Sequence, residues 1–277
     1  MKKAMKWTAI VLGGLIALVL LAGVVLYPIG MKKLNRSLPG IPVEAVSIPT
    51  DPDAIARGQH IAIVWACTKC HGDNLSGTLL AHDPFLGTIV ASNLTSGRGG
   101  IAGSYTDTDW IRAIRHGVKP DSRVEMFMYD YYSTMSDRDM GDLIAYLKQI
   151  PPVDSGYPAT RFGPLAAIAP AIGLFTPAAE RIDHGAPRQA DPVPGVTADY
   201  GRYLSALCTE CHGKNLAGKV QTWKQEDFVR AVRTGVLPNG RKISSAMSLK
   251  TFGEMNDTEL AALWLYLRSL PPAASQK

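Results

Sequence analysis

The stretch CTKCH at residues 67–71 recurs as CTECH at residues 208–212, and the two copies contain all four cysteines of the chain. In each copy two thiols lie one helical turn apart, so both can add to the vinyl groups of a single haem. The histidine that follows them is placed to ligate the haem iron. The motifs therefore predict two covalently bound haem c groups, held by Cys67, Cys70 and His71 and by Cys208, Cys211 and His212.

Zinc is the main alternative, because C-x-x-C pairs with a nearby histidine also form zinc sites. A compact zinc module separates its half-sites by roughly 15–20 residues, whereas these motifs begin at Cys67 and Cys208. A thioredoxin-like redox pair is a second alternative. The spacing favours two haems over a zinc site or a redox pair.

An uncharged segment runs from Trp7 to Ile29 and is long enough to span the ~30 Å hydrocarbon core of a bilayer as a helix. Trp7 and Tyr27 are placed for the two membrane interfaces. A cleaved signal peptide is the alternative, but its apolar region is usually shorter, about 7–15 residues. We expect a transmembrane anchor over residues 1–30 and an extended, proline-containing stalk over residues 31–50.

The formal net charge of +5 is concentrated at the N-terminus. Residues 1–50 contain six Lys and Arg against Glu44, so the other 23 basic and 23 acidic residues cancel. A neutral remainder gives no support to nucleic-acid binding, and we expect no nucleic-acid partner.

The similarity between the halves of the chain extends well beyond the haem motifs. Three segments recur: CTKCHGDNLSG at 67–77 as CTECHGKNLAG at 208–218, DWIRAIRHGVKP at 109–120 as DFVRAVRTGVLP at 227–238, and MSDRDMGDLIAYLKQIPP at 135–152 as MNDTELAALWLYLRSLPP at 255–272. The first copy has about 23 extra residues within 78–105, a glycine-rich stretch that reads as a long loop. Each copy predicts a helix before the haem motif, at 53–66 and 199–207, and a second at 107–116 and 226–234.

The start of the last helix has the same signature in both copies. Ser136 with Asp139, and Asn256 with Glu259, have the spacing of N-cap and N3 partners. Paired prolines at 151–152 and 271–272 end these helices. The fold class expected is mainly α.

The order helix, CxxCH, loop, helix, methionine loop and terminal helix resembles the class I cytochrome c family. The chain as a whole is similar to membrane-anchored dihaem c-type cytochromes, some of which are electron-accepting subunits of periplasmic dehydrogenases. The resemblance implies cytochrome c domains at 51–152 and 197–277, joined by a linker or strap at 153–196. It also implies that a glycine of the first helix packs against an aromatic residue of the last, which matches Gly58 with Tyr146 and Gly201 with Tyr266.

The resemblance further implies that a methionine before the last helix is the second axial ligand, which raises the reduction potential relative to two histidines. In the second unit Met247 fits best. In the first unit Met128 fits best by its distance from Gly117 and Asp137, and Met126 is the alternative. The family commonly has proline after this methionine, whereas Tyr129 follows Met128 and Ser248 follows Met247.

The remaining histidines and tyrosines have simpler explanations. His60 is expected at the surface or in packing, and His116 in a cationic or hydrogen-bonding role at a helix C-terminus. Tyr129, Tyr131 and Tyr132 either line the first haem pocket or fill the core.

The function expected is electron transfer on the periplasmic face of the bacterial inner membrane, by a carrier or a non-catalytic subunit rather than an enzyme. The partners would be a dehydrogenase, a quinol-oxidising complex or a terminal oxidase. A haem enzyme such as a dihaem peroxidase, or a haem-based ligand sensor, is the alternative, and either requires an exchangeable iron ligand.

Overall fold

The computed structural model describes residues 2–213, 215–216 and 220–271. These residues are mainly helical. The N-terminal half consists of α1 (Lys2–Leu34), α2 (Pro52–Val64), α3 (Cys67–His71), β1 (Thr78–Asp83), β2 (Gly87–Ala91), α4 (Asp107–His116) and α5 (Asp137–Leu147). The C-terminal half consists of β3 (Arg161–Phe162), α6 (Pro164–Ala171), α7 (Ala198–Ser205), α8 (Thr209–His212), α9 (Gln225–Thr234), α10 (Leu249–Phe252) and α11 (Asp257–Ser269).

Helix α1 is longer than the apolar segment that predicted it. It continues past Ile29 for one more turn, to Leu34. Among the described residues it is the one helix long and apolar enough to cross a membrane, and most of its side chains are exposed. Leu34 is an exception, because it is buried against Ala167 and Met126.

The segment after α1 is extended, as expected, but it is not a free stalk. Val43, Val46 and Ile48 pack against the main hydrophobic core. The carbonyl of Ser47 lies so close to Gly141 that a Cβ built there would be 2.1 Å from its oxygen. These contacts attach the extended segment to the core and to α5 over residues 43–48.

The inserted region of the first unit is also more ordered than predicted. Residues 78–91 form an antiparallel hairpin of β1 and β2, and β3 adds a third strand to β2. The glycine-rich part from 96 to 104 is a loop, as expected. The prediction missed the hairpin because its apolar and polar residues do not alternate cleanly, so its twofold period was weak.

The two units repeat the same packing at their centres. In the first, α2 crosses α5 at Gly58, where an added Cβ would lie 2.0 Å from the carbonyl oxygen of Asp142. In the second, α7 crosses α11 at Gly201, where the corresponding distance to Ala262 is also 2.0 Å. The expected aromatic neighbours are present, with Tyr146 and Tyr266 Cβ atoms within 3 Å of the built Cβ positions. The predicted packing of a first-helix glycine against a last-helix tyrosine is therefore confirmed in both units.

Local details outside the helix crossings repeat as well. Helices α4 and α9 each end at a glycine in the left-handed region, Gly117 and Gly235. The chain then folds back, so that the amides of Glu125 and Ile243 donate to these glycines' carbonyls at 2.6 and 2.7 Å. The predicted N-caps are confirmed, since the side chains of Ser136 and Asn256 accept hydrogen bonds from the N3 amides. Pro272 lies outside the described residues.

The two units share one hydrophobic core. Trp65 of the first unit packs against Tyr203 of the second, with 5.8 Å between ring centroids. The polar contacts beside this pair are arranged symmetrically. His60 on α2 contacts Glu259 on α11 at 2.9 Å, and Tyr203 on α7 donates to Asp139 on α5 at 2.6 Å. In each case the first helix of one unit reaches the N3 carboxylate of the other unit's last helix.

Candidate functional site

The first haem motif forms its own short helix beside a large cavity. Helix α2 ends at Trp65, and Ala66 adopts a left-handed conformation that turns the chain into α3. Cys67, Cys70 and His71 line a cavity of about 850 Å³. This volume is within the range of small-molecule and cofactor sites, roughly 300–1,000 Å³. The local turn therefore presents all three predicted attachment residues to one space.

His71 is held in an orientation suited to metal ligation. Its Nδ1 lies 2.7 Å from the carbonyl oxygen of Ser92, which can only accept, so Nδ1 carries the proton. The lone pair is therefore on Nε2. Burial lowers the pKa of His71, which favours the neutral imidazole that binds iron. A carbonyl partner that fixes the tautomer is typical of metal-binding histidines.

The thiols of the first motif are kept protonated by their surroundings. Burial raises the pKa of Cys67 to about 12, despite a hydrogen bond from Tyr132 that acts in the opposite direction. Burial also raises the pKa of Cys70. A thiol with so little thiolate at neutral pH is a poor nucleophile for thiol–disulfide exchange. The described residues contain no group of three or more His, Cys, Asp or Glu placed to share a metal ion.

A buried polar atom provides an independent test of whether haem fits this cavity. Trp110 lines the cavity and is 2% exposed, and its Nε1 has no hydrogen-bond partner among the described residues. An unpaired buried donor is costly, by roughly 1–3 kcal/mol, so native structures seldom leave one without a function. A haem propionate is an acceptor that would satisfy it. The two thiols and the histidine, the cavity volume and the unpaired Trp110 N–H are all consistent with a haem in this cavity.

Both methionine candidates of the first unit line the cavity, but they belong to different packing clusters. Met128 packs against the main core that contains Trp65, Tyr132 and Leu143. Met126 is buried in a smaller cluster with Leu34 and Ala167 at the end of α1. Met126 therefore helps to pack the end of α1 against the domain. Met128 has no such role, because it packs only against the main core. Ligation by Met128 remains a prediction that this difference favours.

The tyrosines form a stack between the two haem motifs. Tyr129 lies over Tyr131 at 5.2 Å, and Tyr131 contacts Tyr132 at 4.7 Å. Tyr129 and Tyr132 line the cavity. Burial raises the pKa of Tyr129, and Cys70 and Cys211 both add to the effect, so its phenol is within electrostatic reach of a thiol from each motif. The tyrosines thus both line the predicted haem pocket and fill the core, the two roles that the sequence left open.

The second motif is more open in the described structure. Cys208 is half-buried, and desolvation raises its pKa to about 12, while Cys211 and His212 are exposed. Met247 is half-buried in the turn before α10. Residues 214 and 217–219 of the GKNLAG repeat lie outside the described residues. The second set of haem ligands therefore remains a prediction.

One arginine of the linker connects the second motif to the first unit. Arg181 donates to Asp130 at 2.7 Å and lies 3.6 Å from Glu210, the acidic residue inside CTECH. Asp130 belongs to a short 3₁₀ helix at 130–134 that directly follows the Met128 loop. Sequence reasoning missed Arg181, since nothing in a proline- and alanine-rich linker marks one arginine as an inter-unit contact.

Two histidines outside the haem motifs have defined contacts. His60 pairs with Glu259, as described above, and this contact raises the pKa of His60. His116 accepts or donates to His184 through the two Nδ1 atoms, 3.1 Å apart. Burial lowers the pKa of His116 to about 4, so its predicted role is hydrogen-bonding and not cationic.

Comparison with known proteins identifies the first unit. Residues 55–151 match the family model described as cytochrome c. Residues 55–151 belong to the cytochrome c family. A cytochrome c domain carries covalently bound haem c, which agrees with the cavity, the histidine geometry and the motif at Cys67, Cys70 and His71.

Three relatives of the chain are named as cytochromes, and two of them as subunits of dehydrogenases. It is 27% identical over 274 residues to the fructose dehydrogenase cytochrome subunit of Gluconobacter japonicus, covering 84% of this chain and 56% of that protein. It is 32% identical over 179 residues to the gluconate 2-dehydrogenase cytochrome c subunit of Pantoea cypripedii, covering 57% and 37%. It is 29% identical over 125 residues to a diheme cytochrome c-type protein of Cereibacter sphaeroides, covering 39% and 42%.

The chain spans about half, or less, of the length of these curated relatives. Their names describe cytochrome subunits and not the catalytic subunits of the dehydrogenases.

Proposed function

We propose that the chain is a membrane-anchored dihaem c-type cytochrome that passes electrons on the periplasmic face of the bacterial inner membrane. Its place would be the electron-transfer subunit of a dehydrogenase, with no substrate chemistry of its own. The observation that carries the proposal is the repetition of CxxCH within a repeated packing arrangement, one copy of which is a cytochrome c domain. The names of the relatives support the choice of a dehydrogenase as partner.

The protein's part in this function is to hold haem and set its environment. A bound haem c supplies reversible one-electron chemistry at its iron. His71, whose ring is fixed by the Ser92 carbonyl, and Met128 would hold the haem iron. Buried apolar residues around the cavity, including Leu143 and Leu147, exclude water and disfavour the ferric charge.

Intact-mass spectrometry of the purified chain tests the cofactor count. The wild-type protein should carry the mass of two haems that survive acid denaturation. The pair Cys67→Ala and Cys70→Ala should remove one, and the pair Cys208→Ala and Cys211→Ala should remove the other. One haem in the wild-type protein, or an unchanged mass in the second variant, would contradict the second site.

Native membranes test the partner. The chain should be extracted in mild detergent, separated on a native gel stained for haem, and the haem-positive band analysed by mass spectrometry. Co-migration with a dehydrogenase catalytic subunit is the expected result. If the chain still migrates alone when it is gently crosslinked before extraction and the detergent is kept low, it is an independent carrier.

Carbon monoxide distinguishes electron transfer from the peroxidase and sensor alternatives. A haem with His and Met ligands binds this gas poorly, whereas a catalytic or sensing haem has an exchangeable position. We expect no spectral change when carbon monoxide is added to the reduced protein at neutral pH. Rapid binding at either haem, with peroxide turnover, would favour the enzyme.

A further inference from the structure

The linker between the two units contains a long uncharged stretch with a helix at its centre. No Asp, Glu, Lys or Arg occurs from Phe162 to Ala179, and α6 lies within this range. A helix on the surface of a water-soluble domain normally has polar residues on its outer face. At eight residues α6 is far too short to span a bilayer. Its composition needs a different explanation.

Helix α6 packs against α1 at the point where the apolar span ends. A Cβ built on Gly30 would lie 1.5 Å from the carbonyl oxygen of Ala167, so the two backbones are in direct contact. The Nζ of Lys33 donates to the carbonyl of Pro170 at 2.9 Å. Gly30 lies two residues before Lys32, the first charged residue after the uncharged run that begins at Trp7. The contact is therefore at the boundary between hydrocarbon and headgroups, given a rise of about 1.5 Å per residue.

The contact extends into the span itself. Leu26, one turn before Gly30, is half-buried, whereas its neighbours Val24, Val25 and Tyr27 are exposed. The headgroup region on each side of a bilayer is only roughly 5–8 Å thick. Protein that packs on α1 from Leu26 to Leu34 must occupy that region if α1 crosses the membrane.

The outer face of this segment is apolar and uncovered. Leu165, Ile172 and Leu174 are 53%, 53% and 77% exposed. Phe85, at the tip of the β1–β2 hairpin, is 63% exposed and is joined to α6 by the hydrogen bond from the Leu165 amide to its carbonyl. We call these four residues the α6 patch. Large apolar side chains clustered in this way mark interaction surfaces.

We propose that the α6 patch lies in the headgroup and upper acyl region of the bilayer that α1 spans. This inference rests on the proposed anchoring by α1. The occupant is lipid because the patch is continuous with the membrane-facing surface of α1 and carries no charge to desolvate. Lys32, exposed on the same turn of α1, adds attraction to anionic headgroups.

The placement has a consequence for the first haem site. Phe162, two residues before α6, and Met31 of α1 both line the cavity that Cys67 and His71 border. The α6 patch would therefore hold this cavity against the membrane surface, with a fixed orientation. A tether formed by α1 alone would leave the orientation free.

Spin-label depth measurements on the full-length, haem-loaded chain in nanodiscs test the proposal. The nanodiscs would contain phosphatidylcholine and phosphatidylglycerol. Single labels are placed at Leu165→Cys and Leu174→Cys, with Tyr27→Cys as the label for the span. Val193→Cys, an 82% exposed apolar position elsewhere in the linker, is the matched control. The unsubstituted chain is treated in the same way to measure labelling of any free motif thiol, and the haem spectrum verifies folding.

The expected result is higher accessibility to oxygen than to a polar nickel complex at Leu165, Leu174 and Tyr27, and the reverse at Val193. A label at Tyr27 in lipid with both patch labels in water would overturn the proposal but leave the anchor intact. A label at Tyr27 in water would overturn the anchor and the proposal together. Patch labels in water that become immobile only when a dehydrogenase is added would assign the patch to a protein partner and also overturn it.

Discussion

Gly58 and Gly201 illustrate how a single atom decides the packing of each unit. At both positions the first helix crosses the last so closely that a Cβ would overlap a backbone carbonyl. Backbone cannot move aside as the end of a flexible side chain can, so the whole crossing would have to widen. These two contacts are the geometric basis for the similarity between the units.

We expect Gly58→Ala to destabilise the first unit by at least about 1–3 kcal/mol, the usual cost of overpacking a close-packed contact. Denaturant unfolding of the haem-loaded protein measures it. Gly103→Ala is the matched control, because no atom lies within 4 Å of a Cβ built there, and it should change stability by less than about 0.5 kcal/mol. Equal effects of the two substitutions would contradict the crossing.

Met128 and Met126 offer a second test at the level of single side chains. Met128→Ala should lower the reduction potential of the first haem and allow the reduced protein to bind carbon monoxide, because a neutral thioether ligand is lost. Met126→Ala removes the same thioether from a cluster at the end of α1. It should reduce stability, by about 2–5 kcal/mol if the cavity stays open, and leave the potential nearly unchanged. The opposite pattern would make Met126 the ligand.

Helices α2, α5, α7 and α11 meet through a contact that is used twice, with different chemistry each time. In one direction it is His60 with Glu259, and in the other Tyr203 with Asp139. The imidazole titrates in the physiological range and the phenol does not. One of two equivalent inter-unit contacts is therefore sensitive to pH.

The pKa of His60 is raised, first by its hydrogen bond to Glu259. Stabilisation by this pair is fully present below the unfolded value of about 6.5 and is lost as the pH rises through the folded value. His60→Gln should therefore cost about 1 kcal/mol near pH 6, since the pair is partly exposed, and much less near pH 9. Free energies of unfolding at the two pH values provide the measurement.

Tyr203→Phe is the control for this pH dependence, because it breaks the equivalent contact without removing a group that titrates between those pH values. The free energy of unfolding that Tyr203→Phe removes should be similar at the two pH values. A His60→Gln effect that does not change with pH would show that His60 contributes by packing alone.

The two units share one hydrophobic core and are joined by several further contacts. Trp65 contacts Tyr203, the tyrosine stack lies between the motifs, and Arg181 connects Asp130 to Glu210. Small domains of this size bury too little apolar surface to be very stable alone, and a bound haem supplies part of the missing core. Loss of haem from one unit should therefore lower the stability of the other.

We expect Cys208→Ala with Cys211→Ala to make the second unit sensitive to protease and to lower the melting temperature of the remaining haem site. A loss of only about 1 kcal/mol would lower it by roughly 2–4 °C in a chain of this size. The melt is followed by the absorbance of the first haem. Met247→Ala, which leaves both thiols in place, should have a smaller effect. An unchanged melt with a protease-resistant second unit would show that the units are independent.

The sequence was sufficient for the features that depend on short-range spacing. The CxxCH motifs, the N-caps at Ser136 and Asn256, and the apolar length of α1 are encoded within a few residues, so they can be read without a fold. The helix-crossing glycines Gly58 and Gly201 came from the family resemblance, and the structure confirms the contact that it implied.

Tertiary structure alone decided what depends on residues far apart in the chain. It packed residues 43–48 against the core instead of leaving a stalk, brought α6 onto the end of α1, and paired His60 with Glu259 across 199 positions. It also separated Met126 from Met128, two residues apart in sequence, into different clusters. Such contacts arise from the summed burial of the whole chain, and no local pattern of spacing or propensity records them.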